Sequence, residues 1–334
     1  MNCLKTVFLA AVVTFGWSSA NAQDIRLGDF QPTTHIVSVE GTQKWMGRVQ
    51  ELSKSKVAFK HFPAEQAAPG AGLLDAVKNG ILQAALIGPL YNADALPLNS
   101  VIGLPGFYTS AEQGTVAMQA MLADGPLRDE LLNAGVVPVF GFVLPPYQIL
   151  SKKVRLGGPA EWKGLKIRTS GTTQGMVARD LGAVSVKLAG PEVYTAVETG
   201  LLDGIMFPLA SVPGYNLQEV VKHISTNGSF GGYSFVMVVN RDVFKNLPDD
   251  VKQAMLQAGK EIALHVAKVQ DESEKDLARK WAMQGINVYA FTDTERSDLK
   301  AAVSKTRQEW LSRIGARNPK AADVLAQYES LTKN

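Results

Sequence analysis

Apolar and polar positions alternate in short runs along most of the chain, then change to one long helical period. Residues 24–30 (DIRLGDF) alternate, which predicts a strand. Residues 39–52 repeat at helical spacing, with Trp45, Val49 and Leu52 on one face. Residues 56–62 alternate again. Residues 71–79 read as a helix, and Gly80 suits the left-handed position behind it. Residues 81–86 read as a buried strand. Ser110-Ala111-Glu112-Gln113 is a capping-box pattern that opens a helix to about Ala123. Further strands are predicted over 136–143, 166–169, 185–188, 204–206 and 233–239. The helices between them end at Gly182 and Gly200, the second opened by Pro191. Such alternation predicts an α/β fold with mostly parallel sheets. Residues 248–284 then hold a continuous 3.6-residue pattern. As one helix this segment would be about 55 Å long at 1.5 Å per residue, with Gly259 as a candidate bend. Thr292-Asp293-Thr294-Glu295 is a second capping box, predicting a helix to about Ile314.

The one long apolar run breaks this pattern at the N-terminus. Lys5 precedes the apolar run over residues 7–15 (VFLAAVVTF), and Ala20-Asn21-Ala22 is a small-x-small site. This is the pattern of a secretory signal peptide over residues 1–22, and it predicts a periplasmic protein. An N-terminal anchor is the alternative, but the run is short of the ~20 residues a span needs. The chain has 334 residues, 46% hydrophobic and 19% charged. That composition supports a sizeable core and excludes a disordered or fibrous protein. The length suggests two domains. No linker divides them, so the chain is expected to cross between them more than once. A dispersed net charge of +3 lacks the footprint of a nucleic-acid binder. The single cysteine, Cys3, lies in the signal segment, which excludes thiol chemistry and Cys-ligated zinc from the exported chain.

Catalytic motifs are missing: there is no HExxH, GxSxG, Walker A or CxxC. His35, His61, His223 and His265 are scattered without ligand spacing, so no metal or other cofactor is expected. Gly70-Ala71-Gly72 lacks the third glycine of a dinucleotide loop. The acidic run 271–274, interleaved with Lys268, Lys275 and Arg279, reads as a solvated helix face.

One series of motifs is specific. Residues 161–169 (EWKGLKIRT) are followed by Leu181-Gly182-Ala183, by Glu192-Val193-Tyr194 and by residues 199–204 (TGLLDG). In this order and spacing the series resembles the extracytoplasmic solute receptors of TRAP transporters, the DctP type. Leu104-Pro105-Gly106-Phe107 and residues 246–251 (NLPDDV) fit in register, so the likeness runs through the chain. The resemblance implies a two-lobed periplasmic-binding-protein-like fold with a long helix spanning both lobes. It implies lobe I over 24–145 plus about 233–260, and lobe II over 146–232 plus about 261–334. It also implies a small carboxylate ligand, delivered by a monomeric receptor to the membrane subunits of an ion-driven permease.

Arg168 matches the arginine of the family's KIR motif, which clamps a ligand carboxylate. A guanidinium fork suits two carboxylate oxygens; a structural salt bridge is the alternative role. The departures from the family pattern matter as much. Phe207 stands where the family usually has an asparagine. Tyr147, or Gln148 with a one-residue shift, stands where another basic residue often lies. Gly88-Pro89-Leu90-Tyr91 replaces an acidic segment of the sugar-acid binders. These changes predict a ring-lined pocket for an aromatic or short branched hydroxy or keto monocarboxylate, with Tyr91 as a further ring. Thr33, Thr34 and His35, at the start of the first helix, are further candidates, as are Gln66 and Tyr233. Trp162 and Tyr194 read as core. An exported enzyme acting on a carboxylate, or a receptor used for sensing, remain the other readings.

Overall fold

A computed structural model describes residues 23–333; the expected signal segment, 1–22, lies outside the described residues. Eleven strands are described: β1 (Gln23–Asp29), β2 (Val57–Phe62), β3 (Ala84–Ile87), β4 (Val136–Val143), β5 (Gln148–Ser151), β6 (Lys166–Thr169), β7 (Val184–Lys187), β8 (Gly204–Phe207), β9 (His223–Ser225), β10 (Ser234–Asn240) and β11 (Asn287–Tyr289). They form two sheets, in the orders β2-β1-β3-β10-β4 and β11-β9-β5-β8-β6-β7. Each sheet is the floor of one lobe, so the two-lobed α/β expectation holds.

The sheets are mixed, not mostly parallel. In the first, β1 runs parallel to β2 and β3, but β10 is antiparallel to both β3 and β4. In the second, β5 is antiparallel to β8 and β9. The reversal has a topological cause. β5 and β10 are the strands that the chain enters directly from the other lobe. They therefore start at the cleft edge, whereas their neighbours end there. β4 and β10 are buried along their whole length, as strands covered on both faces are.

The helices are α1 (Lys44–Leu52), α2 (Leu73–Lys78), α3 (Ala111–Ala123), α4 (Pro126–Asn133), α5 (Thr172–Asp180), α6 (Val193–Glu198), α7 (Arg241–Asn246), α8 (Asp249–Met283), α9 (Asp293–Ala302), α10 (Thr306–Gly315) and α11 (Ala321–Thr332). The long helical period becomes α8, unbroken through Gly259. A Cβ at Gly259 would stand 2.8 Å from Cβ of Phe140, so this glycine lets the helix lie close on β4 instead of bending it. The Thr292 capping box forms: Thr292 Oγ1 accepts from the Glu295 N–H at 3.2 Å, and Glu295 accepts from the Thr292 N–H at 2.8 Å. The helix it opens stops at Ala302 instead of reaching 314. The chain turns there to seat α10, where Thr306 bonds Asp180 and the Trp310 indole donates to Ser100 Oγ at 2.9 Å.

The division between lobes also differs from expectation. Helix α8 stays on lobe I well past residue 260: Arg48 pairs with Glu261 at 2.7 Å, and His265 Nε2 lies 2.6 Å from Glu40. Trp281 belongs to the core of lobe II. The last helix returns to lobe I, not lobe II. Tyr328 of α11 stacks on Phe107 with ring centres 4.8 Å apart, and the Gln113 side chain of α3 donates to the Thr332 carbonyl at 2.9 Å. The acidic run on α8 is not a plain solvated face either. Asp271 accepts from the Ala111 and Glu112 N–H groups at the start of α3, at 2.7 and 2.9 Å. Glu274 accepts from Leu209 and Ala210 N–H groups of lobe II, at 2.8 and 3.3 Å. Burial pushes the Glu274 carboxyl up to about 8.

Candidate functional site

Two connecting segments form the back of the cleft between the lobes, one leading from β4 to β5 and one from β9 to β10. They bond to each other: the Leu144 N–H donates to Tyr233 O at 2.9 Å, Tyr147 N–H to Gly231 O at 3.0 Å, and Phe230 N–H to Tyr147 O at 3.1 Å. This pairing sets Tyr147 and Tyr233 in the back wall of a tightly closed cavity of about 20 Å³. The lobes meet around it. Gly190 N–H of lobe II donates to the Tyr91 hydroxyl at 3.0 Å, Thr173 of lobe II to the Ser100 carbonyl at 3.0 Å, and Tyr215 of lobe II to Gln31 of lobe I.

Arg168 enters from β6, with β7 and β8 on either side. It is 1% exposed. Its Nε–H donates to the Leu188 carbonyl at 2.9 Å and Nη1–H to the Met206 carbonyl at 3.2 Å. Two carbonyls anchor the fork and leave further donors of the five on a guanidinium. Among the described residues no carboxylate pairs with it, so the structural salt bridge is not there. The guanidinium carbon lies 5.1 Å from the centre of the Phe207 ring. The Tyr147 phenol adjoins Arg168 and Ser170, and burial pushes its ionisation up, so it stays a neutral donor. A buried cation without a counter-charge costs several kcal/mol in general. An anion admitted beside it recovers much of that.

Rings cover the opposite wall. Phe30 lies 5.4 Å from Tyr91 and 5.5 Å from Phe235, and Tyr233 lies 5.2 Å from both Tyr91 and Phe235. Gly88 makes this possible, because a Cβ there would overlap the Tyr233 hydroxyl. His35 is the polar element on this side. The Val37 N–H donates to His35 Nδ1 at 3.1 Å, which puts the ring proton on Nε2. That Nε2 is buried without a partner. Burial holds the imidazole down at about 3, so it is neutral. The ring packs 5.0 Å from Tyr215 and over Gly214, where a Cβ would strike it. Across the cavity, Ser211 Oγ is also buried and unpartnered.

Of the residues singled out from sequence, the cavity gathers Arg168, Phe207, Tyr147, His35, Tyr91 and Tyr233. It does not gather Gln148, Thr34 or Gln66. Gln148 follows Tyr147 in an extended segment, so it faces the other way. Its amide is used up internally, donating to Gly228 O at 2.9 Å and accepting from Gly228 N–H at 2.7 Å and Ser225 Oγ at 3.0 Å. Thr34 and Gln66 are exposed on turns. Trp162 is core, packed 5.0 Å from Phe230, and Tyr194 packs partly buried on the lobe II core. Sequence reasoning missed Phe30, Gln31, Ser211 and Tyr215. Phe30 and Gln31 had a usable signal, since they follow β1 at its carboxyl end, where open α/β sheets place ligands. Ser211 and Tyr215 had none.

The family model of bacterial extracellular solute-binding protein, family 7 (DctP) matches residues 28–313. A solute-binding protein of Albidiferax ferrireducens is 25% identical over 305 residues, covering 90% of this chain and 86% of that protein. The C4-dicarboxylate-binding periplasmic protein DctP of Rhodobacter capsulatus is 26% identical over 297 residues, covering 85% of this chain and 86% of its own. The fold is similar to the crystal structure of a TRAP solute binding protein from Rhodoferax ferrireducens in complex with copurified benzoate. The TM-score is 0.86 at 22% identity, over 92% of this chain and 97% of that one.

Proposed function

The chain belongs to bacterial extracellular solute-binding protein family 7, and from that premise we propose that its cavity captures a small monocarboxylate with an aromatic or short branched body. The observation that carries this is the pairing of one buried guanidinium, Arg168, having no acid partner among the described residues, with a wall of rings. The carboxylate sits on the free face of Arg168, helped by the Tyr147 phenol. The body of the ligand lies against Phe207, Tyr91 and Tyr233, where burial of apolar surface adds about 25 cal/mol per Å². The benzoate found in the R. ferrireducens structure supports a ligand of this kind.

In this reading the protein works in the periplasm as a monomer and hands the acid to the membrane subunits of a TRAP permease. On the same reading binding is not followed by turnover, and the cavity neighbours of Arg168 are the neutral Tyr147 phenol and the Phe207 ring. The test is a thermal-shift screen of organic acids, with calorimetry on the hits and mass spectrometry of the incubated ligand. The expected result is an aromatic or branched monocarboxylate that stabilises the fold by RT ln(1 + [L]/Kd), so raising the melting temperature, and is recovered unchanged. A preference for sugar acids, or a released product, rejects the reading.

A further inference from the structure

Resting on that reading, we propose that His35 is a specificity-determining residue, whose Nε2–H donates to a neutral oxygen on the ligand, a hydroxyl or carbonyl, and that the pocket therefore rejects a second carboxylate. Three observations point this way. The tautomer is fixed: the Val37 N–H occupies Nδ1 at 3.1 Å, so Nε2 carries the proton and can only donate. That donor is buried in the cavity wall and has no protein partner, a situation rare for a side chain held this rigidly. It is held rigidly because Tyr215 packs on one side of the ring and the backbone of Gly214 lies beside it.

The charge around it sets the sign of the selection. With its imidazole held down at about 3, His35 offers a dipole and no positive charge. Tyr215 and Tyr233 also stay neutral, since burial pushes their ionisation well up. After burial, Tyr91 and then Asp29 raise the Tyr215 phenol further, while Arg168 opposes them. Asp29 accepts from the Gln31 N–H at 2.9 Å and from Thr42 Oγ1 at 2.7 Å, and His61 Nε2 lies 3.8 Å from it. A ligand carboxylate at this end would meet neutral donors with an anion behind them. Arg168 is meanwhile engaged by the first carboxylate. A hydroxyl or carbonyl oxygen meets no such penalty. Ser211, unpartnered on the other lobe, can donate to or accept from the same ligand group. Recognition of that group would then draw on both lobes.

The test is calorimetry on the exported chain with three matched probes that share a phenyl ring and one carboxylate: mandelate, phenylacetate and phenylmalonate. They differ only in the second substituent, which is hydroxyl, hydrogen or carboxylate. Mandelate should bind roughly ten-fold or more tightly than phenylacetate, the cost of leaving a buried donor unpaired. Phenylmalonate should bind roughly a hundred-fold more weakly than mandelate, or not at all. His35→Phe should bring mandelate and phenylacetate to within about two-fold by losing affinity for mandelate alone. His35→Gln, which keeps an N–H near the Nε2 position, should restore part of the preference. The same series on isovalerate, its 2-hydroxy acid and isopropylmalonate covers a branched body. Equal binding of the hydroxyl and hydrogen members by the natural chain overturns the role of His35, and tight binding of either dicarboxylate overturns the rejection. Both results leave the monocarboxylate reading standing. Failure of every member of both series to bind removes that reading itself.

Discussion

Two hollows in this protein invite comparison. One is a groove of about 560 Å³, bordered by α2, α4 and the turn into α11. The other is the inter-lobe cavity of about 20 Å³. The groove holds more charge, but both cations at its α11 end are paired. Arg317 meets Asp94 at 3.2 Å and Lys320 meets Asp129 at 3.5 Å. Glu130 accepts from Leu98 N–H, Asn99 N–H and Asn99 Nδ2, at 2.8, 3.0 and 2.8 Å. Among the described residues, the cavity holds one guanidinium without an acid, one imidazole N–H without a partner, and two hydroxyls without a partner, those of Ser211 and Tyr233. Unsatisfied polarity, not volume, separates a place that waits for a ligand from a place that only shapes the surface.

Substitution at the two arginines tests the contrast most severely. Arg168→Ala or Arg168→Lys should weaken carboxylate binding by about two orders of magnitude or more, as expected from losing one partner of a buried charge pair at roughly 3–5 kcal/mol. Thermal unfolding without ligand should stay similar. Calorimetry that finds unchanged affinity would falsify the assignment of the clamp.

Gly88→Ala is the next largest. Its Cβ must displace the Tyr233 ring, and overpacking of this kind costs about 1–3 kcal/mol. The variant should melt lower and bind about ten-fold more weakly. A variant that melts lower but binds normally would take Tyr233 out of the ligand wall.

The response to pH sharpens the comparison further. His35 in the cavity has its pKa depressed to about 3 from an ordinary 6.5. Between those values the unfolded chain takes up a proton that the folded one refuses. Stability therefore falls as pH drops through this window, by up to about 1.4 kcal/mol per unit from this one group. Glu130 at the groove behaves in the opposite sense. Burial raises its carboxyl, so its contribution is lost as pH rises above the ordinary carboxylate value. Denaturant titrations from pH 4 to 8 on the natural chain and His35→Gln should show the acid-side slope flatten in the variant. An unchanged slope would mean that His35 is not the group responsible.

The smallest effect should come from Arg317→Ala. Its partner Asp94 is fully exposed, and exposed pairs contribute about 0–1 kcal/mol. Ligand affinity should not change. A loss of affinity there would erase the distinction between the two hollows.

How far these features were legible in the sequence depends on length and on parity. β4 and α8 match their predicted spans to within a residue, because each is long enough for its period to be read. β5, β9 and β11 are three or four residues long and carry no period, so the pattern passes over them. The position of α11 is set by Tyr328 stacking on Phe107, more than two hundred residues away, which no local pattern announces. At the site, Arg168 was readable because a motif carries it. Gln148 failed by one residue of strand parity, the smallest error that reverses a side chain. Ser211 stands on a short turn after β8 with nothing in its neighbours to mark it.

The two carboxylates on α8 define where the molecule can pivot. Asp271 grips the start of α3 in one lobe and Glu274 grips residues 209 and 210 in the other. Only three residues separate them, about 4.5 Å of helix at 1.5 Å per residue. If both grips hold, rotation of one lobe against the other is confined to that single turn, to the two connecting segments behind the cavity and to the return from α10 to α11. A lever with so short an axle converts a small change at the ligand into a large sweep at the outer rim of each lobe, the part of the surface that a membrane partner could distinguish between open and closed.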